Sequence, residues 1–414
     1  MVYTLMLLMM MNMWLVPVSE NVEVQIAATN DPNATLGIPR HKVHVSQSNP
    51  GQWWVLYGKP SGNLKMSTDR GQTWTGLEPD AITVWEWLDY HAEMAGDDEG
   101  NLHFTFPEPA AHTQLYRRMD APARTRSDLR AAVTLADLTP GNWNRGSILV
   151  DGSTVWVFSR SSYAAAGNVR YHRSTDGGIT WYATPEDSGY VRQTGCSNVR
   201  IGSVEYMGKP TVVIWYDGEG YRYYVREGSN WVGHPDSTIY WGTCTRQFSI
   251  SVIADSTFHI VWQDTDDSGL LRHAWKHFSG GTGEWHYGIV DENPGNGNFL
   301  PMLTRSGTTL YVVYSRLVGQ RYERAICYRV WNGNNWSIVP LRVSRLSDNC
   351  LHPNAPPSVP PEANHIPVVW TAGANAPYRV MCGRMPVTPV RSINGATSGS
   401  GARIPRKKPE NDHG

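Results

Sequence analysis

The chain has 414 residues and a mass of 46.3 kDa, which leaves room for two ordinary domains or one large closed β architecture. Charged residues make up 18% of it while Gly (39), Pro (27), Trp (18) and Tyr (20) are abundant, a balance that suits short strands and tight turns and excludes long charged helices and coiled coils. The net charge of −1 gives no drive toward nucleic acid or an anionic membrane, yet the bases are 29 Arg against 7 Lys, and Arg is the residue that grips carboxylates bidentately.

The first 19 residues are apolar but carry no Lys or Arg in front of the apolar run and no clear small-residue cleavage site. They read as a secretory segment, or as a first strand or anchor of the mature protein; Asn12 and Pro17 break the run too early for a membrane span. The expected location is therefore secreted, or a cell or virion surface. Residues 20–385 read as one domain, and 386–414, rich in Gly, Ser, Pro, Lys and Arg, as a flexible tail. Cys196, Cys244, Cys327, Cys350 and Cys382 fit neither a zinc site nor a redox pair, which leaves bridges or buried free thiols. Asn33-Ala34-Thr35 and Asn335-Trp336-Ser337 are sequons.

Along the body of the chain one kind of strand recurs, a hydrophobic run ending in an aromatic residue. The aromatic anchors are Tyr57, Phe106, Phe158, Trp215, Trp262, Tyr314 and Trp370, spaced 49, 52, 57, 47, 52 and 56 residues apart. Before each anchor stand an apolar strand and a turn that often carries Gly; after it comes a third strand, such as TQLYRRM or NVRYHRS, and in several units a fourth. Four short strands per unit predict an all-β fold, a single seven-bladed β-propeller closed into a ring without open edges. A six-bladed ring is the alternative.

Two units carry a sharper signature: residues 67–74 and 174–181 both read S-T-D-x-G-x-T-W. In such a turn the Asp side chain caps backbone amides, Gly takes a positive φ and Trp packs between blades. The motif resembles the Asp-box, or BNR repeat, of sialidase-type propellers. That resemblance implies a scaffold and says little about chemistry.

In a propeller, the starts of inner strands and the ends of second strands face the ligand. Those positions hold Arg145, Arg160, Arg200, Arg246 and Arg316, five arginines from five blades, and their convergence would attract an acidic ligand. The competing reading of each is a blade-to-blade ion pair with Asp217, Asp264 or Glu219. Trp143 and Tyr216 lie near the same face and could stack on sugar rings or pack a loop.

Blade two reads Asp89-Tyr90-His91, then Asp98-Glu99-Gly100-Asn101-Leu102-His103, then His112-Thr113-Gln114-Leu115-Tyr116-Arg117-Arg118. This is similar to a pattern of seven-bladed BNR propellers that include ulvan lyases. The resemblance implies that His91 and His112 are active-site histidines and that Arg160 neutralises the substrate. Eliminating across a uronate fits those residue types: an Arg offsets the carboxylate, a histidine removes the neighbouring proton, and Tyr90 or the other histidine protonates the leaving oxygen. The tyrosine which that pattern has at the start of the third blade is absent, the sequence reading Trp143-Asn144-Arg145, and Gly37 stands where a sialidase has an arginine. His103 is expected to point the other way along its strand and to be structural.

Three functions stay open: a lyase acting on an acidic polysaccharide, a glycoside hydrolase using carboxylates among Glu93, Asp217, Glu219 and Asp264, and a non-catalytic glycan-binding or surface propeller. The expected partner is an acidic polysaccharide or glycan. No nucleotide, haem or zinc cofactor is expected; the segment Asp264-Thr265-Asp266-Asp267 offers a structural Ca²⁺ site or a solvated turn.

Overall fold

The computed structural model describes residues 23–387 apart from 38, 59–62, 77–91, 109–112, 138–145, 162–167, 193–198, 217–219, 234–237, 241–243, 265–269, 278–282, 293–299, 319–322 and 346–348. Its strands form seven antiparallel units around a ring, a seven-bladed β-propeller. From the inside outward, blade one consists of Val43–Val45, Trp53–Tyr57, Asn63–Ser67 and Thr75–Gly76, and blade two of Glu93–Gly96, Leu102–Glu108, Thr113–Met119 and Val133–Asp137. Blade three follows with Ser147–Asp151, Thr154–Ser161, Asn168–Ser174 and Ser188–Arg192, and blade four with Val199–Tyr206, Lys209–Tyr216, Gly220–Glu227 and Asn230–Val232. Blade five has Cys244–Ile253, Thr257–Asp264, Leu270–His277 and Trp285–Glu292, and blade six Met302–Ser306, Thr309–Leu317, Arg324–Trp331 and Leu341–Arg342.

Blade seven pairs Leu351–Asn354, His365–Ala372 and Tyr378–Pro386 with Val24–Thr29 from the opposite end of the described chain. This closure joins strands some 350 residues apart through pairs such as Val24 with Cys382 and Thr29 with Tyr378. Side chains reinforce it. The Thr35 hydroxyl donates to the His352 carbonyl at 2.8 Å, and Asn354 accepts the Lys42 amide at 2.8 Å while donating to the Arg40 carbonyl at 3.0 Å.

All seven aromatic anchors lie in second strands and all are buried. A second strand such as Trp53–Tyr57 is buried at every position because a neighbouring blade covers each face, so it reads as a continuous apolar run. Third strands such as Thr113–Met119 mostly alternate between buried and half-buried residues, since blades splay apart toward the rim. The core is therefore a set of inter-blade clusters, for example Trp54 and Leu56 of blade one against Phe104 and Phe106 of blade two. Burying each such ring contributes about 2–3 kcal/mol. Cys327, Cys350 and Cys382 are buried free thiols within this packing.

The two S-T-D-x-G-x-T-W segments fold alike. Asp69 accepts the amides of Gln72 (3.0 Å) and Thr73 (2.9 Å) and the Thr73 hydroxyl (2.6 Å), and Asp176 does the same with Ile179 (3.1 Å) and Thr180 (2.8 and 2.6 Å). Gly178 has φ +79°, and a Cβ there would strike the Tyr116 hydroxyl of blade two. Trp181 packs edge-on against the same Tyr116 at 4.7 Å, so the turn of blade three is keyed into blade two.

Candidate functional site

The face where inner strands begin and second strands end is floored by residues that enter from several blades. Arg40, His41 and Lys42 lead into the inner strand of blade one, Glu93 opens that of blade two, and Gly146 precedes that of blade three. Arg40 Nε donates to the Gly146 carbonyl at 2.8 Å. Glu93 accepts the Ile148 amide at 3.0 Å and the His41 amide at 3.4 Å, so one carboxylate ties blades one, two and three. Its desolvation outweighs the opposing pull of Arg40 and these amides and raises the carboxyl to about 7. The seam continues with Ser147 Oγ and Ser203 Oγ at 2.7 Å, and with the Leu303 amide on Ser249 Oγ at 2.9 Å.

Of the five arginines expected at the mouth, the structure describes three side chains. Arg160 is the penultimate residue of the second strand of blade three, with 7% of its surface exposed, and desolvation lowers its pKa. Arg200, 6% exposed, lies one residue into the inner strand of blade four and donates to its neighbour's carbonyl, Val199 O, at 3.2 Å. These two stand at the same edge of adjacent blades. Arg316 is engaged elsewhere: its Nε meets Asp291 Oδ2 at 2.9 Å, and the same carboxylate takes Arg329 at 3.1 Å and the Tyr314 hydroxyl at 2.8 Å. That is a blade-to-blade ion pair, made with Asp291, which the sequence did not single out.

Asp264 is buried and paired with Arg272 on the next strand of its own blade, so its carboxylate already has a cation; the rest of the proposed Ca²⁺ segment lies outside the described residues. Tyr216 does not reach the mouth. Its ring packs in the core between blades three and four, 1% exposed, with its hydroxyl 3.5 Å from that of Tyr224, because its place in the strand turns it toward the neighbouring blade. Tyr90, His91, His112, Trp143, Arg145 and Asp217 lie outside the described residues, and Arg246 is described only as part of a strand.

His103 is structural. Its ring spans Tyr116 Oη at 2.7 Å and Asp97 Oδ2 at 3.0 Å, fully enclosed. Burial works to raise the Asp97 carboxyl, but hydrogen bonds from His103 and Asn101 outweigh it and hold the group at about 2.

Two buried cations at this edge of the ring escaped sequence reasoning. Lys42 is fully buried beside blade seven, and Arg324, 8% exposed, opens the third strand of blade six. The signal for Lys42 was available, since Arg40-His41-Lys42 stands before an inner strand much as Asn144-Arg145 does in blade three. Among the described residues no group of three or more His, Cys, Asp or Glu is placed to hold a metal ion, and no helix is long and apolar enough to cross a membrane.

No family model matches the chain, and no curated protein matches its sequence. Solved structures do resemble it. The polysaccharide lyase Uly1 superposes with a TM-score of 0.54 at 10% identity, covering 90% of this chain and 100% of its own. A triple arginine-to-alanine mutant of AofleA from Arthrobotrys oligospora gives 0.50 at 10% identity, covering 79% and 92%. At such identity the likeness is one of fold alone.

Proposed function

We propose that this propeller takes an acidic, uronate-containing polysaccharide on the face where its inner strands begin, and that it cleaves the chain by β-elimination. The observation that carries the reading is the charge of the floor. Arg40, Lys42, Arg160, Arg200 and Arg324 stand at this edge of blades one, three, four and six. A concentration of cations on one face draws and orients carboxylates. The fold shared with a polysaccharide lyase is consistent with this use.

In the elimination, Arg160 offsets the uronate carboxylate and stabilises the charge that builds there as the adjacent C–H bond breaks. His91 or His112 accepts that proton, the electron pair forms the new C=C bond, and the glycosidic C–O bond opens. Tyr90 or the second histidine returns a proton to the leaving oxygen, each proton transfer contributing roughly 10²–10⁴-fold. The absence of the lyase-like pattern's tyrosine at the start of the third blade, where the sequence reads Trp143-Asn144-Arg145, favours a second reading in which the floor binds and does not cleave.

One assay separates the two. Incubation with uronate polysaccharides is expected to yield the ultraviolet absorbance of an unsaturated product, abolished in His91→Ala and His112→Ala. Retained binding without absorbance or new reducing ends would establish the binder. Loss of neither binding nor cleavage in Arg160→Ala would overturn the basic-floor argument.

A further inference from the structure

On the side away from the bowl, blade two carries a loop dense in arginine. Residues 117–130 hold Arg117, Arg118, Arg124, Arg126 and Arg130 against two carboxylates, Asp120 and Asp128, with no lysine. The third strand of this blade starts at the bowl, where Thr113 pairs with Glu108, and finishes at the far face, where Met119 pairs with Leu102. At about 3.3 Å per residue, the loop that follows lies roughly 20 Å from the bowl. One saccharide unit cannot touch both.

Both carboxylates are already engaged. Asp120 takes Arg118 Nε and Arg130 Nε at 2.7 Å each. Asp128 accepts the amides of Arg124 and Thr125, each at 2.9 Å, so it serves the backbone. Arg118 also donates to the Gly177 carbonyl of blade three at 2.6 Å, and Arg117 to the Arg130 carbonyl at 3.1 Å. Arg124 and Arg126 are exposed, and their guanidinium groups meet no carboxylate or hydrogen-bond acceptor among the described residues. Arg126 bears on Arg117 instead, whose pKa is lowered first by desolvation and then by that positive charge. A bound anion would relieve this repulsion.

The loop cannot spread its charges. Asp120 N donates to the Asp128 carbonyl and Arg130 N to the Arg118 carbonyl, both at 2.8 Å, and Trp54 Nε1 of blade one donates to the Ala123 carbonyl at 3.1 Å. Such a preformed patch loses little freedom when it binds. Its composition narrows the partner. Residues 117–130 contain no Phe, Tyr or Trp on which a nucleic-acid base could stack. None of the large hydrophobic residues exposed elsewhere on the described chain lies among them, so the patch lacks the apolar face that enters a lipid surface. Guanidinium forks without either feature suit acidic groups repeated along a polar chain.

We propose that residues 117–130 form a second binding surface that captures an acidic polysaccharide at the outer end of blade two, with Arg124 and Arg126 as its principal contacts. The surface stands apart from the bowl and would hold the protein on a polymer whether or not the bowl is occupied.

The test is binding of the whole protein to dextran sulfate and to polygalacturonate across a salt series. Wild type is expected to bind both, less tightly as salt rises. Replacing the two exposed side chains together, Arg124→Gln with Arg126→Gln, should weaken binding to dextran sulfate, which offers the bowl no uronate, roughly 10–100-fold and reduce the salt dependence by about two counterions. Cleavage of a short oligouronate should stay at the wild-type level in this double variant, and Arg160→Ala should bind dextran sulfate as the wild type does. No binding of dextran sulfate by the wild type, or a double variant that binds it equally well, would overturn the proposal and leave the reading of the bowl in place. Equal capture of single-stranded DNA or of phosphatidylserine vesicles through the same two arginines would overturn it in favour of those partners. Loss of capture in the double variant, from a wild type that cleaves no uronate polymer, would support the rim surface and overturn the cleavage reading alone.

Discussion

Arg40 of blade one reaches Gly146 of blade three, its Nε 2.8 Å from the carbonyl oxygen, and so bridges past the intervening blade. The floor of the bowl is thereby part of the ring's closure. Replacing a 2% exposed Arg by Met removes the charge-assisted bond and strands the Gly146 carbonyl. Arg40→Met is expected to cost about 1–3 kcal/mol in a urea melt, and to weaken acidic-ligand binding by removing one floor cation.

Glu93 should give the protein a stability that depends on pH in an unusual sense. Its carboxyl is raised from 4.5 to about 7 by desolvation, so the folded state holds the proton more tightly than the unfolded one. Its contribution is fully present below about 4.5, falls as pH rises to about 7, and is constant above that. The span is about 3 kcal/mol. Stability curves of Glu93→Gln against wild type should differ in slope across this window and run parallel above it.

Histidines act in the opposite sense. His41, His44 and His172 are pushed from 6.5 to about 4 and His259 to about 3, chiefly by desolvation. Each stays neutral in the fold, so the stability tied to it is complete above 6.5 and is lost as pH falls toward the folded value, at most ~3–5 kcal/mol per group. Four such groups outweigh Glu93. The melting temperature is expected to fall steeply between pH 6.5 and 4, and His259→Phe, which leaves the aromatic stack around Trp331 in place, should flatten that fall.

Arg226 stands in an aromatic cage, its guanidinium carbon 4.9 Å from the Tyr171 ring centroid and 5.7 Å from those of Trp156 and Trp231. None of its guanidinium nitrogens has a hydrogen-bond partner among the described residues. Cation–π attraction offsets part of the desolvation, and the side chain's volume supplies the packing. Arg226→Met is therefore expected to be near neutral in chemical denaturation, and Arg226→Ala to cost ~2–4 kcal/mol through the cavity it leaves. Equal losses in both would show that the charge itself is what the blades require.

The architecture was legible in the chain because a strand covered on both faces must be apolar throughout, and seven such runs ending in an aromatic recur at a near-constant interval. The paired turns were legible for a similar reason: Asp69 and Asp176 act within four residues of themselves, and local hydrogen bonding is written in local sequence. His103 could be set aside by strand parity alone. What escaped was non-local. That Val24–Thr29 completes blade seven depends on the ring closing on itself, and nothing near Val24 names its partner Cys382.

The same limit governed the site. Position along the repeat pointed to Arg160, Arg200 and Arg316 alike, but it could not show which of them a neighbouring blade neutralises, and Arg316 proved to belong to Asp291. It also could not say that Tyr216 would be claimed by the core, or that Lys42 would be fully buried. The sequence by itself determined the repeat, the turns and the excess of arginine, since each follows from neighbours along the chain. Tertiary structure decided which of those charges are neutralised across a blade seam, because charge compensation is settled between blades, by groups that only the closed ring brings within reach.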